Sequence, residues 1–550
     1  MKKILSLVLA LCMLMISSAA LATSVDPVGG LEPNWWVDAD LQPSESFYVD
    51  GGLNVSMVGI HYNQYPTTFD GGYYLPSVEK KTGVHFDIDW RTSDGYATVV
   101  STILAGGTDN LPDVIQPGAF GIAALAAEGA IIPLDEYLDL IPNVVAAVGD
   151  RLSSWASADG HIYAIPTIVN VPGSQSMTFR KDWALKLKEQ GVIDFDTPST
   201  WEQWKAFWYG VRDNDVNGNG DANDEIPLVL EMGESGERAL HALLNAFGIK
   251  ASNDAQFCVL DDGTYTMVYE HPNYSKFLTE AQKLYADGII DPEFATRKQA
   301  DMYNTMSANI CASCFTWAQM SQTHTEELWT MGIEDALFEC VAPITGPDGE
   351  CWLQERQAVT PLNCITVAAK NRGKVEDLMK FYNWQFSEEG INLYNYGIEG
   401  LTYTLVDGQP TMNTAIVKNG FTDYRTIGME FEPFGGMWQT SAFMQCLFAG
   451  ESLETLNAAY QSFWNGLNDE GVNKGHYYAM PPTLETDAYN EYRGELIIGS
   501  SGVCALRDQC VAGQVSVDEF FQKYEQLKSR GLEEVIEEGA EAYAQIMGGD

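Results

Sequence analysis

The feature that most limits what this chain can fold into is an alternation of short apolar strands with amphipathic helices. Leu53–Ile60 (LNVSMVGI) alternates as a strand, and Gly72–Lys81 has helical spacing. Val84–Trp90 alternates again, Tyr96–Ala105 is helical up to Gly106-Gly107, and Asp113–Ile115 is a short buried strand. A helix over Ile122–Glu128 and the strand-like Ile131–Leu134 follow. Parallel strands cannot be joined by a tight turn, so such a β-α-β-α run predicts a parallel sheet carrying helices on its faces. The pattern returns as Ser176–Phe179, Trp183–Gln190, Trp201–Arg212, Leu228–Glu231, Tyr274–Asp287, Cys364–Ala368 and Lys374–Phe386. The C-terminal quarter reads as largely helical, including Leu453–Leu467 and Val517–Met547. No internal repeat or low-complexity linker separates the two stretches. Two α/β lobes interleaved in sequence fit this better than consecutive domains, with Trp183, Trp201 and Trp204 as core residues of the helices that carry them.

The N-terminus reads as an export signal. Lys2 and Lys3 precede the apolar run Ile4–Ile16, and small residues stand at Ala20 and Ala22, so cleavage is expected after Ala22. The run is too short to span a bilayer, which takes about 20 helical residues. Leu11 precedes Cys12, and Cys12 lies inside the apolar run, so a lipid anchor at that cysteine is not expected. No later stretch reaches membrane-spanning length, and the mature chain is expected to be soluble. Residues 23–46, rich in Pro, Gly and Asp, read as a loose arm.

Charge excludes several partners. The 550 residues carry a formal charge of −45, more negative still without Lys2 and Lys3. Such a surface repels phosphate backbones and anionic lipid headgroups, so nucleic acid is not an expected partner. A polyanionic ligand would need a local basic pocket. Ten cysteines include Cys12, leaving an odd number after cleavage that cannot pair fully within one chain. Cys311 and Cys314 form a C-x-x-C pair, but no second pair or H-x-x-x-H completes a zinc set. The surrounding small and apolar residues read as a strand, which favours buried thiols or one local disulfide over redox chemistry.

The sharpest local motif is an oxygen-rich loop. Asp213, Asp215, Asn217, Asn219, Asp221 and Asn223 fall at every second position, followed by Asp224 and Glu225. Gly218 and Gly220 permit the tight turns such a loop needs. Calcium takes six to eight hard oxygens, which alternating Asp and Asn supply. Two registers are open, one starting at Asp213 and one at Asp215 with closure by Asp224 or Glu225. In either, every ligand comes from one loop, so a metal here would be structural.

Several segments resemble one family in order along the chain. Gly106–Ile115 (GGTDNLPDVI), Ile132–Tyr137 (IPLDEY), Asp159–Pro166 (DGHIYAIP), Arg180–Trp183 (RKDW), Asp224–Pro227 (DEIP), Tyr285–Phe294 (YADGIIDPEF) and Asn395–Gly400 (NYGIEG) look like extracellular solute-binding proteins of carbohydrate ABC importers. The nearest branch resembles the large oligosaccharide- or alginate-type binders, in which a loop similar to Asp215–Glu225 holds calcium. The resemblance implies a bilobed, periplasmic-binding-protein-like (type II) α/β fold. A ligand would close between two lobes about a hinge. It places the first lobe at 47–165 and 358–402 and the second at 166–357 and 403–550, with crossings near Ala164–Asn170, Ala358–Thr366 and Glu399–Tyr403. It implies no catalysis, an expected monomer, a carbohydrate ligand, the membrane permease subunits of an ABC importer as partners, and a periplasmic or cell-surface location.

Sugars present apolar C–H faces and a rim of hydroxyls, so their sites need flat aromatic side chains and polar partners. Trp317, following a small-residue strand, and Trp438, in Phe434–Trp438 (FGGMW), are candidate stacking residues. Gln116 and Phe120 follow the strand ending at Ile115, where parallel sheets place ligands, and Tyr62 holds the matching place after the first strand. Arg180 and Glu399 are candidate polar contacts. For each of these, packing into the core is an equally open role. The rival functions are a secreted polysaccharide-degrading enzyme and a surface carbohydrate-binding module. No G-x-S-x-G, H-E-x-x-H or similar catalytic motif supports the first, and the β-α alternation argues against the usual all-β build of the second.

Overall fold

The computed structural model describes residues 41–61, 73–149, 151–169, 171–172, 175–232, 240–252, 254–356, 359–406, 408–413, 435–438 and 477–548. The first alternation becomes a six-stranded sheet. Leu53–His61 runs parallel to Val84–Thr92 on one side and to Val114–Ile115 on the other. Val359–Ile365 comes next, antiparallel to Val114–Ile115 and to Ala164–Val169, and Met437–Trp438 closes the far edge parallel to Ala164–Val169. Helices Tyr74–Thr82 and Ser93–Ala105 make the crossovers that the parallel pairs require. Between the first helix and its following strand the chain turns at Gly83 with φ 70°. A Cβ there would stand 2.6 Å from the Val49 carbonyl oxygen, so only glycine fits. Val55, Met57, Val84, Val114, Ile165 and Ile365 pack with Val78 on one face of the sheet, and Val58, Ile60, Ile115, Ala164 and Cys364 are buried on the other.

Two strands of this sheet lead into a smaller one. Leu353–Arg356 pairs antiparallel with Val171–Pro172 and parallel with Tyr477–Ala479. Three chain segments thus lie side by side between the lobes. Ala164–Val169 precedes one of these strands in the chain and Val359–Ile365 follows another. The third strand of this small sheet is Tyr477–Ala479. Tyr403 is buried in the first lobe's core and Met437–Trp438 extends its sheet, so both lie with that lobe.

The second lobe is built on Gln175–Arg180, flanked antiparallel by Ser313–Trp317 and Phe338–Cys340. Leu228 and Val229 join by single parallel bridges to Ile290 and Cys314, where a full strand was expected over Leu228–Glu231. Its core centres on the helix Trp201–Arg212, whose start is fixed by a capping box. The Thr200 hydroxyl accepts from the Gln203 amide, and the Gln203 side chain accepts from the Thr200 amide. Trp201, Trp204 and Trp208 are fully buried, and the Trp208 indole donates to Ser313 Oγ at 2.9 Å. A C-terminal run of helices, Val503–Val511, Val517–Leu527 and Glu533–Gly548, packs on this lobe. The expected helix over Val517–Met547 is broken at Gly531, whose φ of 148° no helix accommodates. Leu453–Leu467 lies outside the described residues.

Two more expectations differ from the structure. Strand Val359–Ile365 stops before Ala368, because the Thr366 side chain accepts from the Ala369 amide and caps a new helix, Val367–Asn371. The end of the arm expected to be loose is docked. Ser44 is buried, its hydroxyl donates to Glu389, and it accepts from the Trp384 indole. All the described cysteines are free thiols, Cys311 and Cys314 among them and both fully buried. The contact with Cys311 and burial push the Cys314 thiol up, away from thiolate chemistry. Among the described residues no helix is long and apolar enough to cross a membrane.

One buried carboxylate ties the first lobe together. Asp113 accepts from the Ser56 amide at 2.9 Å, from Arg372 at 2.8 Å and from Lys374 at 2.8 Å. Burial alone would raise its pKa, but these donors outweigh it and hold the carboxyl below the usual range. Asp113→Asn is expected to lower stability by about 2 kcal/mol, because the buried carboxylate that Arg372 and Lys374 pair with loses its charge. A group with a depressed folded pKa stabilises above its unfolded value of about 4 and loses that effect as pH falls. The gap between wild type and variant in chemical denaturation is therefore expected to be full at neutral pH and to close in acid.

Candidate functional site

A cleft of about 1270 Å³ opens between the lobes. Its first-lobe wall is the turn after Val114–Ile115 (Pro117, Gly118, Gly121 and Ile122), together with Arg151, Asp159 and Tyr163. This is the carboxyl end of a sheet strand, where open α/β folds place ligands. Its second-lobe wall carries Gln175, Asp254, Trp317, Glu485, Tyr489, Arg493, Glu538 and Glu541. Gln354 and Val359–Pro361, beside the crossing strands, form the inner end. Gly121, with φ 83°, faces Glu485 of the second lobe. A Cβ there would lie 2.8 Å from Glu485 Oε2.

The aromatic and polar groups are held in place by neighbours. Trp317 ends the strand Ser313–Trp317, directly opposite Gln175 in the antiparallel pair, and is half-buried. Across the cleft the Tyr163 hydroxyl donates to Asp159 Oδ2 at 2.9 Å, and burial beside that carboxylate pushes its pKa up to about 12. The Asp254 carboxylate accepts from the hydroxyls of Ser252 at 2.6 Å and Thr483 at 2.7 Å. Glu538 accepts from the Ala488 amide at the start of helix Asp487–Tyr492. The surrounding protein lifts the Glu485 carboxyl above its ordinary range, with Arg493 opposing. The arrangement offers a ring face, amides and carboxylates to a ligand rich in hydroxyls.

The expected site residues separate in the structure. Trp317 lines the cleft. Gln116 does not: it is buried, its Oε1 accepts from the Ile60 amide at 2.7 Å, and its Nε2 faces Asn363. Phe120 packs against the first lobe's core, while Gly118 and Gly121 line the cleft. Arg180 is sealed in the second lobe. Asp182 holds it by two hydrogen bonds at 2.8 and 2.6 Å, Asn309 accepts from it, and its guanidinium stacks 4.3 Å from the Trp183 ring. Glu399 is exposed at the turn that bridges to Tyr403. Trp438 is described only through its backbone, which pairs with Val169; its side chain and Tyr62 lie outside the described residues. Tyr163 sits inside the quoted Asp159–Pro166 motif, so a signal for it was present. Glu485, Tyr489, Arg493 and Glu538 carry none, since only tertiary packing brings their helices to the cleft.

The oxygen-rich loop follows the helix Trp201–Arg212. Asp215 Oδ1 accepts from the amides of Gly218 at 2.7 Å and Asn219 at 3.2 Å, and Oδ2 from Gly220 at 2.9 Å. Asn217, Asn219 and Asp221 each accept from the amide two residues on. Asp224 receives the side-chain amides of Asn217 and Asn219. Glu225 Oε1 accepts from the Asn217 amide at 3.0 Å, whereas its Oε2 is buried without a hydrogen-bond partner. Burial raises the Glu225 pKa. Asp213 faces elsewhere, paired with Arg212 at 2.7 Å. The loop is therefore wound about Asp215, whose carboxylate collects three of its amides. Among the described residues no three His, Cys, Asp or Glu side chains form a metal set by themselves. Here the amide oxygens of the asparagines complete the oxygen donors, and the orphaned Glu225 oxygen is the group a cation would satisfy.

Residues 65–207 match the family described as bacterial extracellular solute-binding protein. No curated protein matches the sequence. The fold is shared with solved binding proteins. With the calcium-free alginate-binding protein AlgQ2 the identity is 18%, covering 91% of this chain and 99% of that one, at a TM-score of 0.66. The Streptococcus pneumoniae ABC-transporter substrate-binding protein FusA, in complex with kestose, is 18% identical over 90% of this chain and all of its own, TM-score 0.64. An HMO-binding, ABC-transporter-associated solute-binding protein of Bifidobacterium longum infantis is 18% identical over 90% of this chain and 99% of its own, TM-score 0.63. These are binding proteins, not enzymes, and the bilobed α/β architecture is theirs.

Proposed function

We propose that this chain, which carries the bacterial extracellular solute-binding match at residues 65–207 and the fold of sugar-binding ABC components, captures an oligosaccharide between its lobes for an ABC importer. The observation that carries this reading is the cleft itself. It has Trp317 on one lobe, Tyr163 on the other and amides of Gln175 and Gln354 between them. Trp317 stacks on a sugar face, and the amides and carboxylates take its hydroxyls. Trp438 and Tyr62 stay in this reading as further aromatic contacts. The protein acts as a monomer outside the cytoplasm after loss of residues 1–22, and hands its ligand to membrane permease subunits.

Calcium belongs to the same reading. The ligands are Asp215, Asn217, Asn219, Asp221 and Asn223, with Asp224 or Glu225 closing the set. Supporting it are the orphaned Glu225 oxygen, the all-oxygen donors, and similar proteins whose solved forms are defined by absent calcium or an EF-hand mutation. Calcium would brace the second lobe and play no part in the cleft. Titration calorimetry against a panel of oligosaccharides tests the capture reading. Saturable binding with the sugar recovered intact is expected, and new reducing ends would sink it in favour of the degrading enzyme.

A further inference from the structure

The inner end of the cleft is held by a buried chain of hydrogen bonds. Gln354 lines the cleft from the strand Leu353–Arg356, and in the parallel pair it stands opposite Tyr478 of Tyr477–Ala479. One residue of the second lobe reaches both. Asn245, on the buried helix His241–Ala246, donates from Nδ2 to Gln354 Oε1 at 3.0 Å. Its Oδ1 accepts from the Tyr478 hydroxyl at 3.1 Å. That hydroxyl also lies 3.3 Å from the Ala251 carbonyl and 3.3 Å from His241 Nδ1. Burial raises the Tyr478 pKa, so the hydroxyl keeps its proton at neutral pH and can donate. Asn245 thus has its oxygen turned to Tyr478 and its nitrogen to Gln354. A primary amide carries one oxygen and one NH2 group, so a Gln354 whose oxygen is held by Asn245 has its N–H donors on the other side.

We infer that Gln354 meets the bound sugar as a hydrogen-bond donor through Nε2, and that Asn245 is the positioning residue that fixes this polarity. The inference rests on the cleft being the sugar site. An accepting oxygen of any kind suits such a group, whether a hydroxyl, a ring oxygen or an acetamido carbonyl. The carboxylates of Asp254 and Glu538, on the second-lobe wall, take the opposite role and accept from sugar hydroxyls. A sugar held between them uses its donors on that wall and an acceptor at the inner end. Asn245 touches the ligand only through Gln354, so its part in binding is to set which end of that amide the sugar meets.

The test is calorimetry on the full chain with calcium present, using malto-, fructo-, manno-, chito-, alginate and polygalacturonate oligomers as probes. Gln354→Glu keeps an oxygen for Asn245 but presents a second oxygen to the ligand in place of the N–H group. It should weaken binding of the probes that the wild type takes by about tenfold, with little change in melting temperature. Asn245→Asp only accepts as a carboxylate, so it draws the Gln354 N–H group to itself and turns the oxygen to the cleft. A similar loss is expected. In a Gln354→Ala background the same Asn245 change should leave affinity where it was, because Asn245 acts through Gln354. Gln354→Glu binding as tightly as the wild type overturns the inference while leaving sugar capture standing. So does Asn245→Asp weakening binding equally with and without the Gln354 side chain. Failure of the wild type to bind any probe overturns the capture reading and this inference with it.

Discussion

Chelating calcium is expected to lower the melting temperature of this protein by several degrees, and Asp215→Ala to abolish that response. Asp215 gathers three backbone amides, so it sets the path of the loop from Gly218 to Gly220. The loop is also joined to the rest of the lobe. Lys186 donates to the Val216 carbonyl at 2.8 Å, and the Asn217 side chain reaches the Asn309 carbonyl. Asn309 in turn accepts from the buried Arg180. A cation that binds only the folded loop, present at 100 to 1,000 times its dissociation constant, stabilises by about 3–4 kcal/mol. Differential scanning calorimetry with and without chelator reads this directly. In the variant, the lost capping bonds should lower stability by about 1–3 kcal/mol, chelated or not. An unchanged melting temperature on chelation of the wild type would contradict calcium at this loop.

Trp317→Ala is expected to weaken oligosaccharide binding by roughly thirtyfold or more, equivalent to about 2 kcal/mol at a buried aromatic anchor. The side chain ends a strand of the second lobe's sheet, where the backbone pairing with Gln175 fixes its direction. It is half-buried in the cleft, so truncation removes a ring face more than a core residue. Trp317→Phe should retain most of the affinity, because a smaller ring still offers an apolar face. Calorimetric affinity measured beside the melting temperature separates the two roles. A variant that melts lower yet binds sugar normally would show that Trp317 packs and does not stack.

Sequence reasoning reached the elements whose signal is local. Leu53–His61 and Val84–Thr92 were legible because alternation over a buried parallel sheet is a short-range pattern. Trp201–Arg212 was legible to the residue, since Thr200 and Gln203 mark its start. The end of Val359–Ile365 was missed, because Thr366 both continues an apolar run and caps a helix. Alternating Asp and Asn side chains leave two registers open in the acidic loop, and nothing in that pattern marks that Arg212 claims Asp213. The cleft was least legible. Arg180 looks like a ligand contact in sequence, but a carboxylate two residues on takes it. Glu485 and Glu538 come from helices whose packing no local pattern records. Gln116 marks the right strand end, yet its amide is spent holding Ile60, and the ligand wall passes to the backbone just beyond it.

Native mass spectrometry of the calcium-loaded protein, mixed with neutral oligosaccharides and cleared of unbound sugar, tests capture most directly. The expected result is a complex of the chain with a single oligosaccharide, released intact on denaturation and lost in Trp317→Ala. A chain that emerges without sugar, or with shortened products, would contradict it.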